Sequence, residues 1–170
     1  CRRVRNEREE LVLSKNAKSY HPGPGQCRSS YRNAQRFTRS ETNIAYRTAD
    51  FERWAQLNFV VGIEIRVSDN HPERDICDDL AGRYPKGFKF VGWHPNCRCH
   101  AVAILASDDE ISTLTDMILM GEDISKFQSK VEVKRPPKAF VMWIHNNRER
   151  MNDAASLPYF IRDNSRYAKV

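Results

Sequence analysis

The chain has 170 residues, 40% of them apolar and 29% charged, with a formal net charge of +6. This length allows one compact domain with appendages, or two small ones. No apolar run approaches the ~20 residues of a helical membrane span, and no secretory leader pattern opens the chain. The first residue is Cys1 rather than Met, so the expectation is a piece of something longer, in which a missing leader carries little weight.

The charge is unevenly placed. Residues 1–53 hold 12 basic and 6 acidic side chains and carry the whole excess, while the 16 of each sign that remain cancel. A basic amino-terminal third suits a nucleic-acid phosphate chain or an acidic protein surface. The alternative is a solvated helical face whose interspersed arginines support helicity and solubility.

In chain order, residues 4–19 read as a short charged helix, ended by His21-Pro22-Gly23-Pro24-Gly25. A long helix follows from about Ser29 to Leu57. Its apolar positions Ala34, Phe37, Ile44, Phe51 and Ala55 recur with Glu41 and Thr48 at steps of three and four, which predicts a narrow packing stripe. Glu41 on that stripe either takes a buried partner such as Arg39 or lies at the edge and reaches water.

Val61-Gly62-Ile63-Glu64-Ile65-Arg66-Val67 alternates as a half-buried strand does. Ser68 to Pro72 is a turn, and Asp75 to Leu80 is one helical turn ended by Gly82. Residues 88–91 and 98–105 read as further short strands. The fold class expected is α+β: a long helix packed on a small antiparallel sheet of about three strands, with flanking helices.

Ser107-Asp108-Asp109-Glu110 fits a capping box, followed by an apolar face of Ile111, Leu114, Ile118 and Leu119 and a stop at Gly121. Residues 134–137 read as a linker. Residues 140–155 read as one more helix, packing through Phe140, Trp143, Ile144 and Met151. The tail from Ser156 reads as an extended arm that docks on something.

The densest chemistry lies in His94-Pro95-Asn96-Cys97-Arg98-Cys99, with His71 and Cys77 upstream. Residues two apart on an extended segment share a face, so Cys97 and Cys99 can converge on one ion. Cys77 sits a normal zinc-module loop earlier, and His94 or His71 supplies a fourth ligand. The other reading makes these cysteines small buried apolar residues and the histidines turn caps. Five cysteines is an odd count, which favours reduced thiols over a disulfide framework. Cys1 and Cys27 have no evident partner.

A zinc-dependent enzyme acting on nucleic acid, of deaminase or nuclease type, is a second possibility. His71-Pro72-Glu73 is formally H-x-E, as in zinc deaminases. The later half does not fit, because Pro95 and Cys97 are separated by an extra residue and the cysteines are spaced C-x-C. Glu73 is the only nearby acid–base candidate.

The ordered set of elements resembles the phage Mu F-like minor head protein (phage head morphogenesis) family. Arg39-Ser40-Glu41 matches the family's helix motif, residues 61–67 its strand, Cys77 and Leu80-Ala81-Gly82 its middle segment. The run from His94 to Cys99, with Pro95 and Arg98, matches its last motif in full. Many relatives carry C-x-x-C in the middle. Here Arg74 stands where the partner of Cys77 would be, and either His71 takes its place or the metal site has lapsed.

The resemblance divides the chain into a basic amino-terminal helical arm (1–27), a Mu F-like minor head domain (28–106), a helical extension (107–155) and an extended tail or connector (156–170). It implies a non-enzymatic virion protein at the capsid interior or portal vertex, assembled in the bacterial host's cytoplasm. Such a protein is bound to phage portal and capsid proteins and acts in head assembly or DNA packaging and delivery. Zinc is its expected cofactor if the cluster holds a metal, and DNA a possible contact of the basic third. A third possibility is the packaging adaptor of a larger toxin.

Overall fold

A computed structural model of the chain describes residues 3–5, 9–13, 30–70 and 74–168. Two short strands, β1 (Arg3–Arg5) and β2 (Leu11–Leu13), pair antiparallel with Val4 opposite Val12. Residues 4–5 and 9–13 are therefore extended or bent rather than part of the helix expected over 4–19, the rest of which lies outside the described residues. Val4 and the run Leu11-Val12-Leu13 favour extended backbone, and Glu9, at φ 59°, bends the chain between them as no helical residue would.

The body of the protein is α+β, as expected. Helix α1 (Ser30–Gln56) leads into β3 (Val60–Arg66), the centre of a three-stranded antiparallel sheet. Its neighbours are β4 (Gly82–Tyr84) and β5 (His100–Leu105), with α2 (Ile76–Leu80) between β3 and β4 in sequence. Ile63 faces Tyr84 on one side and Ala103 on the other, and the ladder to β5 slips between Val60 and Gly62. Ile63 and Ile65 are buried, while Glu64 between them pairs with Arg66 and Arg83. That is the period-2 alternation of a half-buried strand.

Residues 88–91 form no strand. Phe88, Phe90, Val91 and Trp93 are all buried, so the segment has no solvent side to alternate with. Side chains satisfy its backbone in place of a ladder. Buried Asn164 accepts from the Lys89 N–H at 2.7 Å and donates to the Lys89 carbonyl at 2.8 Å. Arg47 donates to the Val91 carbonyl at 2.8 Å. The third strand is β4, too short for its alternation to stand out in the sequence.

The carboxy-terminal part closes the core. Helix α3 (Asp108–Leu119) starts on the expected capping box, with Ser107 accepting from the Glu110 N–H and Glu110 accepting from the Ser107 N–H. Leu114 is buried, but Ile118 and Leu119 are 58% and 80% exposed, because the last turn runs past the body of the domain. Helices α4 (Lys138–Asn146) and α5 (Arg148–Asn152) replace the single helix expected over 140–155, with the break at Asn147. There the Asn147 side chain donates to the Trp143 carbonyl at 2.8 Å, competing with the helical ladder.

The tail is not an extended arm. Pro158 sets up the short helix α6 (Tyr159–Arg162), which buries Phe160 and Ile161. Phe160 meets Trp93 edge-on at 5.3 Å between ring centres, and Tyr167 lies 5.9 Å from Phe88. One core therefore joins Ile63, Ile65, Leu80, Tyr84, Phe88 and Trp93 to Phe140, Ile144 and Phe160.

The face of α1 turned to this core differs from the expected stripe. Ile44, Thr48 and Phe51 are half-buried as expected, but Ala34, Phe37, Glu41 and Ala55 are exposed. The inward residues also include Ser40, Asn43, Arg47 and Trp54. The helix lies over a loop whose carbonyls need donors, so its contact face is rich in hydrogen-bonding side chains. Among the described residues no helix is long and apolar enough to cross a membrane.

Candidate metal centre

The centre is built from two short pieces of chain. Asp75 caps α2: its Oδ1 accepts from the Cys77 N–H at 2.6 Å, and Asp78 reciprocates by accepting from the Asp75 N–H at 2.9 Å. This capping box fixes the first turn and aims Cys77 inward, where it is 0% exposed. The second piece is a tight turn in which the Cys97 N–H reaches the His94 carbonyl at 3.1 Å. Asn96 takes φ 64° there, a left-handed conformation that asparagine tolerates well.

These two pieces bring Cys77, His94 and Cys97 together in a group that could hold a metal ion, all three donor atoms within 4.8 Å of one another. Cys77 Sγ lies 3.8 Å from Cys97 Sγ and 3.1 Å from His94 Nε2. A tetrahedral zinc ion with Zn–S of about 2.3 Å sets its sulfurs about 3.8 Å apart. The sulfur pair already has that spacing. The imidazole would retreat a few tenths of an ångström, since the same geometry sets S and N about 3.5 Å apart.

Cys99 is buried in the same core, next to this group, but is not one of the three donors that converge. Hydrogen bonds from Cys77 and then Cys99 hold the Cys97 thiol far below its ordinary range, helped by the backbone N–H groups of Trp93 and Cys99. Cys77 is pushed far up by its hydrogen bonds to Cys97 and Cys99 and by burial. For Cys99 the Cys77 hydrogen bond lowers the pKa, but the Cys97 hydrogen bond, burial and the Cys97 charge together raise it to about 12. Cys97 is thus the thiol whose surroundings favour the ionised form that a soft cation binds.

His94 is held on both nitrogens. Nδ1 is 2.8 Å from the Pro95 carbonyl, which suits a proton on Nδ1, and Nε2 is 3.2 Å from Asp75 Oδ2. Asp75 is therefore a further oxygen donor beside the site, as well as the cap of α2.

Helix α1 fastens the turn from outside. Arg47 donates to the carbonyls of Val91, Cys97 and Cys99, at 2.8 Å and 2.9 Å for the first two. Asn43 donates to the Cys97 carbonyl at 3.2 Å, and Ser40 accepts from the Asn96 N–H at 2.9 Å. Gly92 permits the close approach. It has φ 125°, and a Cβ there would stand 2.7 Å from the Arg47 guanidinium and 3.3 Å from Cys97 Cβ.

Of the residues read from the sequence, Cys77, Cys97 and His94 converge, and Cys99 is buried beside them without entering the group. His71 and Glu73 lie outside the described residues, as do Cys1 and Cys27. Pro95 supplies the carbonyl to His94, and Arg98 turns outward to donate to the Asn70 carbonyl at 2.7 Å. Gly82 opens β4 with φ 144°, packed against Pro137. Arg39 and Glu41 both face solvent, and Ser40 between them is the residue turned to the loop. Sequence reasoning missed Asp75 and Arg47. Ser40, Asn43 and Arg47 at steps of three and four were the available signal, hidden because a polar stripe reads as a solvated face.

No known family model, no characterised protein and no solved structure matches this chain.

Proposed function

We propose that this chain is a non-enzymatic structural component of a phage or prophage head, a portal-associated minor head protein whose core is locked by zinc. Cys77, Cys97, Cys99 and His94 would hold the ion. The observation that carries this reading is the convergence of two buried thiols, Cys77 and Cys97, and the His94 imidazole at the junction that Arg47 fastens to α1, with Cys99 buried beside them. With Cys99 as the fourth ligand the tetrahedral site would be closed, leaving no position for a reactive water, which is the mark of structural zinc. When bound, the ion would cross-link α2 to the 94–99 turn and add its binding free energy to folding.

The family assignment is supported by the order of Arg39-Ser40-Glu41, the central strand, Cys77 with Leu80-Ala81-Gly82, and the run His94 to Cys99. Partners in this reading are the portal and capsid proteins. The exposed arginines of α1, Arg39 and Arg53 among them, suit contact with packaged DNA. The test is protein mass spectrometry on density-purified particles from an induced lysogen. The reading predicts peptides of this chain in DNA-filled heads at a few copies per particle. Their absence from heads, with the protein free in the lysate, would overturn it.

A further inference from the structure

The groups at the candidate centre differ in access. Cys77, Cys97 and Cys99 are each no more than 2% exposed, whereas the His94 and Asp75 side chains are 34% and 39% exposed. An ion arriving from solvent therefore meets these two before any thiol. They also face each other through donor atoms. Asp75 Oδ2 lies 3.2 Å from His94 Nε2, the nitrogen that faces Cys77 Sγ at 3.1 Å. The Pro95 carbonyl, 2.8 Å from Nδ1, suits a proton there, which leaves Nε2 with its lone pair. A carboxylate oxygen and a nitrogen lone pair this close favour a positive charge between them, a proton or a metal ion. Oδ2 is placed for this because the other oxygen, Oδ1, caps α2 by accepting from the Cys77 N–H at 2.6 Å.

We propose that Asp75 is the entry ligand of the centre. Its Oδ2, together with His94 Nε2, takes the ion at the exposed edge and passes it inward to Cys77 and Cys97, and the ion leaves by the same route. This rests on the zinc reading above and adds a residue outside its four ligands. A carboxylate suits the arriving ion, which is drawn in by charge. The soft thiolates then hold zinc in preference to oxygen.

The experiment is isotope exchange on the purified zinc-loaded protein. A heavy zinc isotope is added in excess as the free ion, and its uptake is followed by mass spectrometry of the desalted protein. Each exchange returns an ion to the site, so the fold persists through the measurement. Asp75→Asn and Asp75→Ser both remove the charge and keep a side chain that caps helices well. Each should slow exchange at least about tenfold, with zinc content and melting temperature at the parent values. Asp79→Asn, exposed on the same helix, is the control and should exchange as the parent does. Unchanged exchange in the Asp75 variants, or equal slowing in Asp79→Asn, would overturn the proposal and leave the zinc reading in place. Loss of zinc from the Asp75 variants at equilibrium would also overturn it, by making Asp75 a permanent ligand. A parent protein that holds no zinc would overturn both.

Discussion

The guanidinium of Arg47 lies 2.9 Å from the carbonyl of Cys97, so the middle of the long helix is tied to the backbone of a candidate metal ligand. The same side chain reaches the carbonyls of Val91 and Cys99. Three carbonyls in a segment without ladder partners are served by one cation. The planar fork of arginine can do this where the point charge of lysine cannot. Arg47→Ala should cost about 3 kcal/mol or more in chemical denaturation, since hydrogen bonds to a charged group are worth about 1.5–3 kcal/mol each. Arg47→Lys should recover less than half of that loss. Full recovery with lysine would show that charge alone matters here.

The candidate metal ligands make a sharper prediction. Cys97→Ser and Cys77→Ser should each abolish tight metal binding and lower the melting temperature measured by calorimetry. A loss of only 3 kcal/mol corresponds to roughly 6–12 °C in a chain of this length. His100→Ala, at an exposed site on β5, is the control and should change neither property. A cysteine variant that melts with the parent protein would mean that the thiols are ordinary packing.

Gly92→Ala tests the close approach of helix and turn. The new Cβ would meet both Arg47 and Cys97 at a φ that alanine resists. Destabilisation of about 2 kcal/mol or more is expected, within the range for strain at special backbone positions. A neutral substitution would show that α1 can withdraw without consequence.

Asn164 tests whether the carboxy-terminal segment belongs to the core. Its side chain makes three hydrogen bonds while 1% exposed: two with the Lys89 backbone and one with the Phe160 carbonyl at 2.9 Å. Asn164→Leu should cost about 2–4 kcal/mol, because it leaves buried backbone groups unpaired. Truncation after Ser156 should be worse, exposing Trp93 and Phe88, and should give an aggregating protein. A soluble truncated chain with cooperative melting would contradict the docking of α6.

Acid should weaken the fold through carboxylates that are ionised in the native state. The Lys130 backbone N–H, then the Ser129 hydroxyl, hold Glu110 below its ordinary 4.5. The Arg66 hydrogen bond chiefly lowers Glu64 from the same value. A carboxyl lowered on folding stabilises the native state above its unfolded pKa, and that stabilisation is lost as pH falls through the folded pKa. Stability from these groups should therefore be complete at neutral pH and decline below about pH 4.5. Glu110→Gln should flatten that decline in urea titrations at several pH values. An unaltered slope would mean that Glu110 is not linked to folding.

Much of the framework was legible in the sequence because its signals are local. The alternation of residues 61–67, the Ser107 capping box and the short run from His94 to Cys97 need no tertiary knowledge. Other features failed where tertiary contacts decide the outcome. Residues 88–91 read as a strand by composition, but Asn164, more than seventy positions later, takes the place of its ladder. The tail looked like an arm because nothing local reveals that Phe160 meets Trp93. Asp75 acts on the candidate site as the cap of the helix that carries Cys77, and Arg47 from a polar helix face whose steps of three and four read as a solvated stripe.

The central claim is that Cys77, Cys97, Cys99 and His94 form a structural zinc site. Elemental analysis of the purified protein at known concentration, beside a chelator-treated sample whose folding is followed by circular dichroism, tests it most directly. The account predicts about one zinc per chain, lost only as the domain unfolds. Protein that folds fully without metal, or a metal removable with the fold intact, would contradict it.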